Sequence, residues 1–191
     1  MQDQSTTKPS STVLNEDISS NAKDLKWKIY CDMDGVLCDF EKRFKEIHPW
    51  SPSKYTEKNG KDEFWKLIDE RGVGFWVGIE WMEDGKMLWE YLKSNFENVE
   101  LLSSPSLAEH SRLGKRLWVR NHKLEAKLNL AYASRKPQYA APDRILIDDR
   151  KDTIKEWEKQ GGVGILHTSA EDTIVKLLNI VANGRKERTN S

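Results

Sequence analysis

The residues most able to do chemistry lie in "KIYCDMDGVLCDF", Lys28 to Phe40, where an apolar run ends in two aspartates one residue apart, then a glycine. A charge at the end of a buried strand must be desolvated or paired. Asp32 and Asp34 also repel each other unless a cation or a proton lies between them. "LLSS" ends in the hydroxyls of Ser103 and Ser104, and "RILIDDR" ends in Asp148 and Asp149. Four carboxylates brought together make a hard, oxygen-rich site that suits Mg²⁺ better than zinc. A carboxylate can also attack phosphorus, given a metal, donors for the phosphoryl oxygens and a nearby cation. In that chemistry Asp32 attacks. Asp34 protonates the leaving oxygen and then activates water. Ser103 and backbone N–H groups hold the phosphoryl oxygens, and Lys136, in "SRKPQY", supplies the cation.

Placing these groups together requires strands whose ends share one edge. "WKIYCDMD", "NVELLSS", "RILIDDR" and "VGILHT" read as strands, alternating with amphipathic segments. This pattern predicts a mainly parallel sheet flanked by helices, with ligands outside the strand C-termini. "LCDFEKRFKEI" predicts a helix with Leu37, Phe40, Phe44 and Ile47 on one face. Residues 48–62 read as a loop and 63–71 as a short helix. Ser106 and Glu109 have capping-box spacing, which predicts a helix from Ser106. Domain boundaries follow: a disordered leader over 1–24, a core over 25–40 and 87–185, a small insert over 41–86 and a tail over 186–191.

Composition excludes several classes. Lys+Arg and Asp+Glu are 31 each and the pI is about 6.9, so no global basic field marks a nucleic-acid binder. Cys31 and Cys38 make no disulfide framework. There is no apolar run of membrane-spanning length and no signal-peptide pattern, which leads to a cytoplasmic expectation. The four histidines are scattered without zinc spacing. Neither a nucleophile-elbow motif nor a P-loop is present.

"DMDGVLCDF", "LLSSPS", Lys136 and "LIDDR" resemble the four motifs of the haloacid dehalogenase-like superfamily, and the D-x-D resembles its phosphatase branch. Together with "LWVRNHK" and "SRK", their order resembles the 5'(3')-deoxyribonucleotidases over roughly Lys28 to Arg150. The resemblance implies an α/β Rossmann-like core with a small, mostly helical cap, and Mg²⁺ as cofactor. It implies Asp32 as nucleophile and metal ligand, and Asp34 as acid/base with its backbone carbonyl on the metal. Asp149 is implied as a direct ligand and Asp148 as one acting through water or behind the first ligands. Ser103, with Ser104 as its alternative, and Lys136 take the phosphate. Phe40 stacks near the base. Phe64-Trp65 and Phe75-Trp76 are both candidates for the nucleobase contact, which makes Trp65 and Trp76 candidate substrate residues. The cap is shorter than the family's, and Leu107 stands where some members carry lysine. The expected partner is a deoxynucleoside monophosphate; the sequence leaves the oligomeric state open, with a homodimer as one option. The competing readings are a polynucleotide 3'-phosphatase, a phosphatase of another small metabolite, and a binding module without turnover.

Overall fold

The computed structural model describes residues 27–189, so the expected leader over 1–24 and the last two residues lie outside the described part. Five strands form an all-parallel sheet in the order β3-β2-β1-β4-β5. They are β1 (Lys28–Cys31), β2 (Asn98–Ser103), β3 (Leu128–Leu130), β4 (Arg144–Asp148) and β5 (Val163–Leu166). β1 is central, pairing Ile29 with Val99 on one side and Ile145 on the other. Alternate residues face opposite layers, as the pleat requires. Ile29, Cys31, Leu101 and Ile147 join the larger core, while Tyr30, Leu102 and Leu146 join a smaller one under Trp157.

The helices are α1 (Phe40–Lys45), α2 (Pro52–Asp69), α3 (Gly72–Val77), α4 (Gly85–Asn95), α5 (Glu109–Asn121), α6 (Lys151–Lys159) and α7 (Ala170–Thr189). α7 continues through the start of the expected tail. A 3₁₀ segment, Ala133–Tyr139, precedes β4. Buried side chains of α4, α5 and α7 enter the larger core, and Ile154 and Trp157 of α6 enter the smaller one. Among the described residues no helix is long and apolar enough to cross a membrane.

Three local expectations are corrected. Residues 52–62 are helical, not a loop: Ser51 accepts from the Lys54 N–H and Pro52 occupies the first turn, so Ser-Pro starts a helix here. Gly60, at φ 86°, kinks that helix without ending it. The helix after β2 begins at Glu109 rather than Ser106, because Ser106 Oγ accepts from the Ala108 N–H in a tight turn and forms no capping box. Leu37 lies in the turn before α1, whose N-cap is Asp39. β3 escaped the sequence reading because three residues carry too little periodicity to register.

α1, α2 and α3 make up the insert. Its two ends are pinned together where the Asp39 N–H donates to Glu80 O and the Met82 N–H to Leu37 O. It therefore leaves and rejoins the core at one place, immediately above the end of β1.

Candidate active site

Four segments converge at the C-terminal edge of the sheet. The first follows β1. Asp32 N–H donates to Ile147 O, which continues the ladder one residue past the strand. The chain then turns: the N–H groups of Val36, Leu37 and Cys38 all point at Met33 O, and Gly35 adopts φ 76°. Left-handed backbone suits glycine, and space enforces the choice. A Cβ at Gly35 would lie 2.3 Å from Asp149 Oδ2. The turn thus brings the first aspartate pair against the second.

Lys136 arrives on the 3₁₀ segment and is almost wholly buried. Its Nζ lies 2.9 Å from Asp32 Oδ2 and 2.7 Å from Asp148 Oδ2. Burial alone pulls its proton affinity down, but Asp32 and Asp148 outweigh burial and hold it above the ordinary lysine range. Asp148 also accepts from the Arg150 N–H through Oδ1, so both its oxygens are engaged. Asp149 is more open. Carboxylate oxygens of Asp32, Asp148 and Asp149 lie within 4.8 Å of one another. Burial, then the charge of Asp32, pushes Asp148 up to about 6. Burial, then Asp32 and Asp148, pushes Asp149 up to about 7. The three crowded carboxylates form a set of hard oxygen donors that could hold a metal ion.

Asp34 takes a separate position. Its Oδ2 accepts from Lys115 Nζ at 2.5 Å, and its Oδ1 is buried without a partner. Burial raises its proton affinity, and Lys115 acts against that. Lys115 also donates to Ser103 Oγ at 3.1 Å and lies 5.1 Å from the centre of the Trp76 ring. Sequence reasoning missed this lysine, although a signal was present. Ser111, Lys115, Trp118 and Val119 share one helical face, and all are buried. A lysine in that row points inward. With every carboxylate ionised, four aspartates face two lysines, a formal charge of minus two.

The insert supplies an aromatic wall. Phe40 packs against Phe64, Phe75 and Trp76 at centroid distances of 6.3, 5.5 and 5.9 Å. Trp76 is buried with its indole N–H unpartnered. α3 comes this close because Gly114 of α5 has no side chain; a Cβ there would meet Trp76 Cβ at 2.3 Å. Trp65 is 37% exposed and its ring contact is with Phe64, so it is not brought to the carboxylates. Ser104 is half-buried beside Ser103, and Leu107 is solvent-exposed.

No family profile matches the sequence, and no curated protein matches it. Solved structures do match. A haloacid dehalogenase-like family hydrolase from Xanthomonas campestris superposes with a TM-score of 0.56 at 10% identity, over 84% of this chain and 95% of that one. A haloacid dehalogenase-like family protein from Streptococcus pneumoniae matches with a TM-score of 0.47 at 15% identity, over 79% of this chain and 90% of that one. The Xanthomonas likeness establishes that this chain has the fold of the haloacid dehalogenase-like hydrolases.

Proposed function

We propose that the protein is a Mg²⁺-dependent phosphomonoesterase that works through an aspartyl-phosphate and acts on deoxynucleoside monophosphates. The observation that supports this most is the placing of Lys136 between Asp32 and Asp148, with Asp149 alongside. A nucleophilic carboxylate needs a fixed cation and a set of metal donors at its side, and this arrangement supplies both.

Asp32 attacks phosphorus, and the bond from phosphorus to the leaving oxygen breaks as Asp34 gives that oxygen a proton. Water then attacks the phosphoryl group on Asp32 and gives a proton to Asp34, releasing phosphate and restoring the Asp32 carboxylate and the Asp34 acid. Ser103 and Lys136 hold phosphoryl oxygens. Asp32, Asp149 and the backbone carbonyl of Asp34 are the proposed metal ligands. Asp148, whose oxygens are both engaged, supports from behind. Bound there, the metal neutralises charge on the nucleophile and the phosphoryl oxygens. Phe40, the partly exposed ring of that aromatic group, supports a planar base on the leaving side of the substrate.

One observation favours the polynucleotide 3'-phosphatase reading. Arg116 and Arg120 on α5, and Arg135 near the site, are exposed and make no ion pair among the described residues. A polyanion would find them available.

The test is phosphate release from deoxynucleoside 5'- and 3'-monophosphates, their ribonucleotides and a 3'-phosphorylated oligonucleotide, with Mg²⁺ and with chelator. Release that needs Mg²⁺ and falls at least ~10³-fold in Asp32→Asn is the expected result. A preference for the oligonucleotide would move the reading to end repair. Absence of release from the whole panel would overturn it.

A further inference from the structure

We propose that the outer face of α5 is a binding track for single-stranded nucleic acid, with Tyr132 as a platform on which a base stacks. This goes beyond the phosphatase reading and does not depend on it. Residues 109–123 hold five lysines and arginines against one acid, Glu109, in a chain whose charges balance. Lys115 turns inward to Asp34. Arg112, Arg116 and Arg120 recur every four residues, so they follow one another along one side of the helix in steps of about 6 Å. Arg116 and Arg120 are exposed and make no ion pair among the described residues. Arg112 is the anchored member. Its Nε lies 3.6 Å from Glu109 Oε1, its Nη2 donates to Tyr132 Oη at 3.1 Å, and its guanidinium carbon lies 5.4 Å from the centre of the Tyr132 ring.

The row is continuous with the site. α5 starts just after the end of β2, so Arg112 is nearest the sheet edge that carries the carboxylates, and Arg116 and Arg120 are one and two turns farther along. Tyr132 is the second residue past β3 and is 38% exposed. Its carbonyl accepts from the Lys136 N–H, which ties the platform to the segment that brings Lys136 into the site. A guanidinium fork takes a phosphate through two parallel N–H groups. A phenol face held by an arginine takes a base of any sequence. Cations in single file beside one such face match a chain that alternates phosphate and base. An acidic peptide would use the arginines and leave the ring idle.

The test is binding of a short fluorescein-labelled oligodeoxynucleotide with hydroxyl ends to the full chain, read by anisotropy in chelator over about 50 to 200 mM salt. The probe carries no terminal phosphate and the metal is removed, so activity, or its absence, does not enter the result. Three phosphate contacts predict a slope of log K on log salt of about −2, and the double variant Arg116→Gln/Arg120→Gln should reduce it to about −0.7. Lys151→Gln/Lys155→Gln is the control. Those lysines are also exposed and without an ion pair, but they lie on α6, which packs on the opposite face of the sheet. This pair should leave the slope near −2. Tyr132→Ala should weaken binding about tenfold with little change in slope. If the double arginine variant fails to fold, Arg116→Gln alone decides, with an expected slope of about −1.4. No binding at the lowest salt, equal effects of the arginine and lysine pairs, or an unchanged slope in the arginine variant would each overturn the track. Polyglutamate bound as tightly as the oligonucleotide would also overturn it. Unchanged affinity in Tyr132→Ala would overturn the stacking platform.

Discussion

Two lysines enter the site from opposite sides, and they are held differently. Lys136 comes on a 3₁₀ segment whose turn is closed by the Arg135 and Lys136 N–H groups on Tyr132 O, and its ammonium lies between two carboxylates. Lys115 comes on a regular helix and lies between a carboxylate, a hydroxyl and an aromatic face. The Lys136 side gathers three carboxylates at metal-binding separation. The Lys115 side holds Asp34 apart from them, its other oxygen buried without a hydrogen-bond partner. The difference teaches how one sheet edge can carry four aspartates: the cluster of three takes Lys136 and the lone Asp34 takes Lys115, each cation placed by its own element.

The sharpest way to break this comparison is Lys136→Met. Asp32 and Asp148 would then face each other, buried and without a counter-charge, a change that typically costs about 3–5 kcal/mol. Urea unfolding without metal is expected to show a loss of that order. Activity should fall by about 10²- to 10³-fold on alkyl and aryl phosphates alike. A loss confined to one leaving group would count against Lys136 as the cation that holds the phosphoryl oxygens.

Gly35→Ala should act most strongly on the metal side. The new methyl would strain a positive-φ turn and press on Asp149 Oδ2. Mg²⁺ affinity, read by calorimetry, is expected to weaken about 10- to 100-fold.

The smallest expected effect concerns pH. In the folded chain Asp148 titrates near 6 and Asp149 near 7, both raised chiefly by burial from an ordinary value of 3.8. Between about pH 4 and 7 the folded protein therefore holds protons that the unfolded chain has released. Stability of the metal-free protein should fall as pH rises through that window. Mg²⁺ competes with those protons, so the rise in Tm that it produces should be larger at pH 7.5 than at pH 5.5. Equal Mg²⁺ effects at both pH values would count against Asp148 and Asp149 as the metal side.

Much of this site was legible before folding, for identifiable reasons. Asp32, Ser103 and Asp148 stand at the ends of β-branched and aliphatic runs, and strand ends in a parallel sheet share an edge whatever their order. Lys136 follows from its loop just before such a strand. Lys115 did not stand out, because one lysine among the arginines of α5 looks like a solvated face until the buried row is traced through Ser111 and Trp118. Local punctuation also misled: Ser51-Pro52 starts a helix, and Ser106 turns on itself instead of capping one.

The sequence by itself determined the alternation of strands and helices, the carboxylates at strand ends and the lack of a zinc-spaced Cys/His cluster or a P-loop motif. These depend on residue type and on periods of two or 3.6, which are local properties. Only the tertiary structure decided which oxygen each lysine grips, that Trp76 rather than Trp65 packs against Lys115, and that Asp34 is set apart from the three clustered aspartates. Each of these depends on how closely distant segments approach. Gly35 against Asp149 and Gly114 against Trp76 set two of those approaches, and no local period encodes them.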